Sequence, residues 1–256
     1  MAVQCLFLKM PFTFSHPAAI LPLTYLPRRW YSLTGLVIGS VVPDFEYFLR
    51  MSVLSVYSHT LGGLFYFDLP LGLALVFIFH LAARDSLIDN LPLFLKKYLV
   101  GYKKTDWLQT FKKQWLVIML SILVGAFTHI LWDGFTHANT VFTNAMPSLR
   151  HVFHLFGEKV PVYEILQHTS TLVGLLAIFY AIRKLPMDRN AKADVNFKYW
   201  AVVAAITLAV AGIKLLVSVD KSAYQNYIIP PISGAMIAIA IAPFIVGRKA
   251  AAQKIS

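Results

Sequence analysis

Trp115-Leu-Val-Ile-Met-Leu-Ser-Ile-Leu-Val-Gly-Ala-Phe-Thr-His129-Ile-Leu-Trp-Asp133-Gly-Phe-Thr-His137 is the stretch around which the rest of the chain is read. Its apolar part, Trp115 to Leu131, is long enough to lie in a bilayer as a helix. His129, Asp133 and His137 stand four apart, and on a helix each such step turns only about 40°. All three therefore share one stripe. Two imidazoles and a carboxylate on one stripe form a half-site for a divalent metal. Ionisable groups at the end of a spanning helix are costly unless they face an interior or a water-filled cavity, which makes them functional candidates. The competing reading is an aromatic-rich helix end with two histidines in an interfacial belt.

Composition extends the membrane reading to the whole chain. Of 256 residues, 58% are hydrophobic and only 14% are charged, and the mean hydropathy is +0.64. That excludes an ordinary soluble domain. Windows of about 20 residues with little or no charge predict spanning helices. The formal charge of +11 raises the question of nucleic acid. The Lys and Arg lie between apolar runs, however, so topology and anionic headgroups account for them and no nucleic-acid partner is expected. A lone cysteine, Cys5, excludes an internal disulfide and a Cys-rich zinc site. No cleavable signal peptide is expected from Met1 to Lys9.

Outward from the central stretch, Met10 to Pro22 is apolar but punctuated by Pro11, Pro17 and Pro22, with Pro27 beyond. It predicts a short interfacial or re-entrant helix, with Ser15 as its cap and His16 as a surface or capping residue. Leu33 to Leu49 is a marginal first span, interrupted by Pro43-Asp44-Phe-Glu46, with Gly35 and Gly39 as a pair suited to close helix contact. Asp44 reads either as a cap or as a ligand carboxylate. Tyr57-Ser-His59-Thr-Leu-Gly-Gly63 enters a second span, Leu64 to Leu81, which holds Asp68 (packed against another helix) and His80 (an interfacial anchor). Arg84 to Lys113 carries seven basic residues interleaved with apolar ones, read as a basic interfacial loop or as amphipathic helices on an anionic surface. The loop Ala138 to Val162 contains His151, His154 and Glu158. Further spans are expected at Ile165–Ile182, beside His168, then at Tyr199–Val219 and Ile228–Val246, followed by a basic tail.

The fold expected is all-α, an integral membrane bundle of about six spans with a re-entrant or interfacial N-terminal helix. A metal-site helical domain would cover 1–183, including the basic interfacial loop 84–113. Two C-terminal helices and the tail would cover 184–256. Lys and Arg are concentrated after spans two and four and in the tail, which by the positive-inside rule puts both termini in the cytoplasm. His59, His129, Asp133, His137, His151, His154 and His168 then fall at the outer face with Asp44 and Glu46. His16 falls on the opposite side unless the N-terminal segment re-enters, span one fails to cross, or His16 stands outside the site.

Pro11-Phe-Thr-Phe-Ser-His16-Pro-Ala-Ala, Pro43-Asp44-Phe-Glu46 and Ser58-His59-Thr-Leu-Gly-Gly63 resemble an uncharacterised bacterial multi-pass membrane family, a domain of unknown function. Thr128-His129-Ile-Leu-Trp-Asp133-Gly-Phe-Thr-His137 and Leu166-Gln-His168-Thr-Ser170 extend the match over about the first 180 residues. That family is akin to predicted membrane-bound metal-dependent hydrolases. Its ligand order is distantly similar to the zinc-dependent phospholipase C and nuclease fold. The resemblance implies metal ligands at His16, Asp44, His59, His129, Asp133 and His137, then His154 with Glu158, or His151 or His168 in their place. It also implies a bacterial inner-membrane location.

These readings converge on a membrane-embedded hydrolase using a divalent metal, zinc before manganese or iron, on a lipid-linked or phosphodiester substrate at the outer interface. Glu46 or Glu158 is expected as general base or as a group orienting an imidazole. The alternatives are an ion- or proton-coupled transporter built on Asp68 and Lys214 and a scaffold with interfacial histidines. Neither G-x-S-x-G, H-E-x-x-H nor a P-loop occurs.

Overall fold

The computed structural model describes residues 13–247 apart from 104, 156 and 219–224. Cys5, Lys221 and the expected basic tail (Arg248, Lys249, Lys254) lie outside the described residues. The protein is predominantly helical, and among the described residues five helices are long and apolar enough to cross a membrane: Leu64–Asn90, Trp107–Ala145, Val162–Arg183, Phe197–Val217 and Asn226–Val246. The sixth expected span, Leu33–Leu49, is broken. α1 (Leu33–Gly39) stops, a 3-10 turn follows at Val42–Asp44, and α2 (Phe45–Arg50) begins afresh. Pro43 accounts for the break, because it offers no N–H and excludes the preceding residue from a helix.

The chain packs as two compact units. The first comprises 13–46, 55–73 and 113–183. It opens on three 3-10 turns, Thr13–Ala18, Leu21–Tyr25 and Arg28–Trp30, rather than the α-helix expected there; Pro17, Pro22 and Pro27 keep them short. Ser32 then caps α1, accepting from the Gly35 N–H. α1 lies directly on α6 (Trp107–Thr136). A Cβ on Gly35 would come within 2.9 Å of the Ile118 carbonyl oxygen, and one on Gly39 would collide with the backbone of Ile122. Gly125 meets the Leu36 carbonyl from the other side. Backbones approach this closely only where side chains are missing. Buried Ile20, Tyr31 and Leu36 fill the space beside this contact.

Beyond α6 the expected loop is structured. Thr140 forms a capping box with Thr143 at the start of α7 (Val141–Ala145), and Phe135 stacks on Phe142 at 4.0 Å. An antiparallel hairpin pairs β1 (Val152–Leu155) with β2 (Glu158–Pro161). α8 (Val162–Arg183) follows, and its Gly174 fits against Ser15 and Ala18 of the first 3-10 turn.

The second unit comprises 47–54, 74–112 and 184–247. α9 (Phe197–Val217) and α10 (Gln225–Val246) pack around Tyr199, Val203, Ala238 and Ala242, with Gly234 against Thr207. The basic segment is not a free surface loop. α4 (Arg84–Asn90) continues the preceding span, and α5 (Leu93–Leu99) follows Pro92. The Trp200 indole N–H and the Asn196 N–H both donate to Asn90. His80 stacks on Trp107 at 4.0 Å with Arg84 against its ring, so it is a packing residue of this unit rather than an exposed anchor.

Candidate metal centre

Three parts of the first unit, remote in sequence, bring their polar side chains together. α6 supplies His129 and Asp133 from one stripe. The 3-10 turn after α1 supplies Asp44, and the loop before α3 (Leu69–Ile78) supplies His59. One ligand atom from each of Asp44, His59, His129 and Asp133 lies within 4.8 Å of all the others. His59 Nε2 is 3.4 Å from Asp44 Oδ1 and 3.5 Å from Asp133 Oδ2. His129 Nε2 is 3.4 Å from Asp44 Oδ1 and 3.3 Å from Asp133 Oδ2. These spacings are longer than the 2.7–2.9 Å of a charge-assisted hydrogen bond. A tetrahedral ion bound at about 2.0–2.1 Å separates its ligands by about 3.3–3.4 Å. Four of the six separations thus match the edges of a tetrahedral ligand set, and the remaining two pairs lie within 4.8 Å.

Each ligand is held by its far side. Asp44 accepts from the Thr13 hydroxyl on Oδ2 at 2.5 Å, leaving Oδ1 for the cluster. His129 Nδ1 donates to the Ser40 carbonyl at 2.8 Å, which puts a ring proton there and turns Nε2 toward the cluster. His16 stacks on the His129 ring at 3.7 Å and points Nε2 at Asp133 Oδ1, 3.5 Å away. His137, the next residue on the α6 stripe, brings Nδ1 within 3.6 Å of the same oxygen. His129 Nε2, Asp44 Oδ1 and Asp133 Oδ1 are buried without a hydrogen-bond partner among the described residues. Each such atom costs about 1–3 kcal/mol if nothing compensates it. Two carboxylates facing two imidazoles balance a dication, so the donor set fits a divalent metal.

Burial and charge act on the groups outside the spanning helices in different directions. Burial lowers the pKa of His16 to about 4, with the neighbouring His129 adding to the effect, so its ring is neutral at physiological pH. Burial works against ionisation of Asp44, but His129 and His59 beside it hold its carboxyl well below the usual range. Burial likewise opposes a charged His59, yet the carboxylates of Asp133 and Asp44 facing its ring push its pKa up to about 9.

The other expected site residues are placed elsewhere. His151 lies beside the hairpin, His154 and Glu158 lie on its exposed strands, and His168 is half-buried on α8. None belongs to the converging group of four. Glu46 is fully buried, and its carboxylate faces the backbone of residues 56–58. Thr13 and Ser40 were not legible as site residues, because their contacts span 31 and 89 positions of sequence. Asp68 sits in a π-helical turn, Leu64–Asp68, fully buried, with neither carboxylate oxygen hydrogen-bonded among the described residues.

No curated protein and no solved structure matches the chain. One family does, and its match runs over residues 10–244 and so takes in every residue of the cluster. The chain belongs to the family described as a domain of unknown function, DUF4184.

Proposed function

We propose that this protein is a membrane-embedded, metal-dependent hydrolase acting on a phosphodiester or lipid-linked substrate at the outer membrane–water interface. The observation that carries the reading is the convergence of four ligand atoms, with His–Asp separations of 3.3–3.5 Å and two of the atoms buried without a hydrogen bond. The spacing and the mixed imidazole–carboxylate donors favour zinc over manganese or iron. A divalent ion there supplies Lewis acidity toward a phosphoryl or carbonyl oxygen and lowers the pKa of attacking water.

The protein's own groups divide the remaining work. Water would have to join the four protein ligands as a fifth. His59 stands on a loop and is the most exposed of the four at 21% of its side chain, so the site opens on its side. Glu158 is on an exposed hairpin and Glu46 is engaged by backbone N–H groups, which favours another group as general base. Proton transfer falls instead to Asp133 Oδ1, flanked by His16 Nε2 and by half-exposed His137. Leu61, Phe65 and Tyr66, exposed just beyond His59, suit an amphiphilic substrate.

With Leu33–Leu49 not crossing, the cation counts of the connections put the N-terminal segment on the outer side of a bacterial inner membrane together with the end of α6. His16 and His129 then share a side, which the six-span scheme did not allow. Anionic headgroups would bind the basic connections on the inner side.

Metal analysis of the detergent-purified protein beside a His129→Ala/Asp133→Ala variant tests the reading, with hydrolysis of phosphodiester and lipid phosphoester substrates assayed in parallel. Near-stoichiometric zinc and a metal-dependent activity, both lost in the variant, are expected. Equal metal in both samples would remove the site. A second reading, cation or proton transport, is favoured by the buried Asp68 carboxylate inside a span. Ion flux in proteoliposomes that disappears in Asp68→Asn, with no hydrolysis, would select it.

A further inference from the structure

Glu46 is a buried carboxylate that the proposed reaction does not use, and its surroundings give it a different task. It accepts hydrogen bonds from three consecutive backbone N–H groups, those of Val56 (3.0 Å), Tyr57 (2.9 Å) and Ser58 (3.0 Å). Successive N–H groups turned inward make an anion-binding concavity. Here the anion is supplied by the chain itself, and the loop so gripped is the one that carries His59. The Ser55 hydroxyl, 3.3 Å from Glu46 Oε2, continues the connection: it is 2.9 Å from the Ser58 hydroxyl, and the two hydroxyls lie 3.0 and 2.9 Å from His59 Nδ1.

We propose that Glu46 is the positioning residue of the metal centre, fixing the loop that carries His59 and, through Ser55 and Ser58, the tautomer in which Nδ1 holds the proton and Nε2 faces the cluster. The assignment rests on the reading of Asp44, His59, His129 and Asp133 as metal ligands. The proton count closes in one way. A carboxylate accepts only, so Ser55 gives its hydrogen to Glu46. Ser58 gives its hydrogen to Ser55, and both hydroxyl oxygens are left to accept from His59 Nδ1–H. His129 reaches the same tautomer through the Ser40 carbonyl. Both imidazoles thus turn Nε2 to the same point, one fixed by the carbonyl of the α1 C-cap and the other by a carboxylate-clamped loop. Partners of this kind set ligand orientation and basicity.

The test uses cobalt(II) as a spectroscopic probe with the purified full-length protein, comparing wild type, Glu46→Gln, Ser55→Ala/Ser58→Ala, His59→Ala and Glu46→Gln/His59→Ala. Wild type is expected to show the visible bands of a four-coordinate site and a paramagnetically shifted, exchangeable Nδ1–H resonance from His59. Glu46→Gln should weaken cobalt binding by about 10- to 100-fold and broaden or remove that resonance. It should have no further effect on binding in the His59→Ala background. A loss of affinity from Glu46→Gln that is equally large without His59 would mean a general structural role and overturn the proposal. So would a Glu46→Gln protein with wild-type affinity and an intact Nδ1–H signal. If wild type and His59→Ala bind cobalt alike, the metal centre itself is wrong; if only the Glu46 effects are missing, the ligand set stands and the positioning role falls.

Discussion

Whether each nitrogen and oxygen of the centre carries a proton decides what it can bind. His16, lowered to about 4, brings no competing proton at neutral pH, and neither does Asp44, which is ionised throughout. His59, by contrast, is raised to about 9. In the metal-free protein its charged form stabilises the fold relative to an unfolded value near 6.5. That contribution is complete below about 6.5 and is lost as the pH rises through about 9. A metal needs the Nε2 lone pair and must displace this proton. Metal affinity should therefore climb by about tenfold per pH unit or more between neutrality and about pH 9, with a proton released per ion from His59. Titration calorimetry in buffers of different ionisation enthalpy measures that release. A pH-independent affinity over this range would mean that His59 is not a ligand.

At the scale of elements, the centre depends on how closely α1 can lie on α6. Asp44 follows α1 by a few residues and the Ser40 carbonyl holds His129, so any widening of the helix pair separates the ligands. Gly39→Ala forces a methyl into the Ile122 backbone, which cannot move like the end of a flexible side chain. It should cost about 1–3 kcal/mol of stability and reduce bound metal as well. Gly212→Ala on α9 is the control, because nothing lies within 4 Å of the added carbon. It should be neutral or stabilising by up to about 1 kcal/mol through helix propensity. Thermal melting and metal content of the two variants, side by side, make the comparison. Equal metal and equal melting in both would show that the close approach is not what holds the ligands.

For the whole molecule, a ligand that binds only the folded state raises its stability by mass action. Zinc at a hundred times its dissociation constant should add about 2.7 kcal/mol, and prior chelation should lower the melting temperature correspondingly. His129→Ala/Asp133→Ala should melt at one temperature with or without zinc. A zinc-induced shift that survives in this variant would locate the binding elsewhere.

The amino-acid pattern by itself determined the class of molecule. Long uncharged runs cannot be left in water, so a helical membrane protein follows from composition and periodicity alone, and the 3.6-residue turn puts His129, Asp133 and His137 on one stripe. The spacing of Gly35 and Gly39 likewise announced a close helix contact, which α6 makes. Leu33–Leu49 read as a marginal span interrupted at Pro43, and the helix breaks there, because hydropathy counts apolar residues whereas proline offers no N–H. Only the tertiary structure decided which polar residues meet. Ligand spacing within one helix is local, whereas the distances from Asp44 and His59 to His129 depend on chain segments 70 or more positions away. The same holds for Glu46: a carboxylate near a metal motif reads as a base or as a group orienting an imidazole, and only the three N–H groups folded around it favour the second.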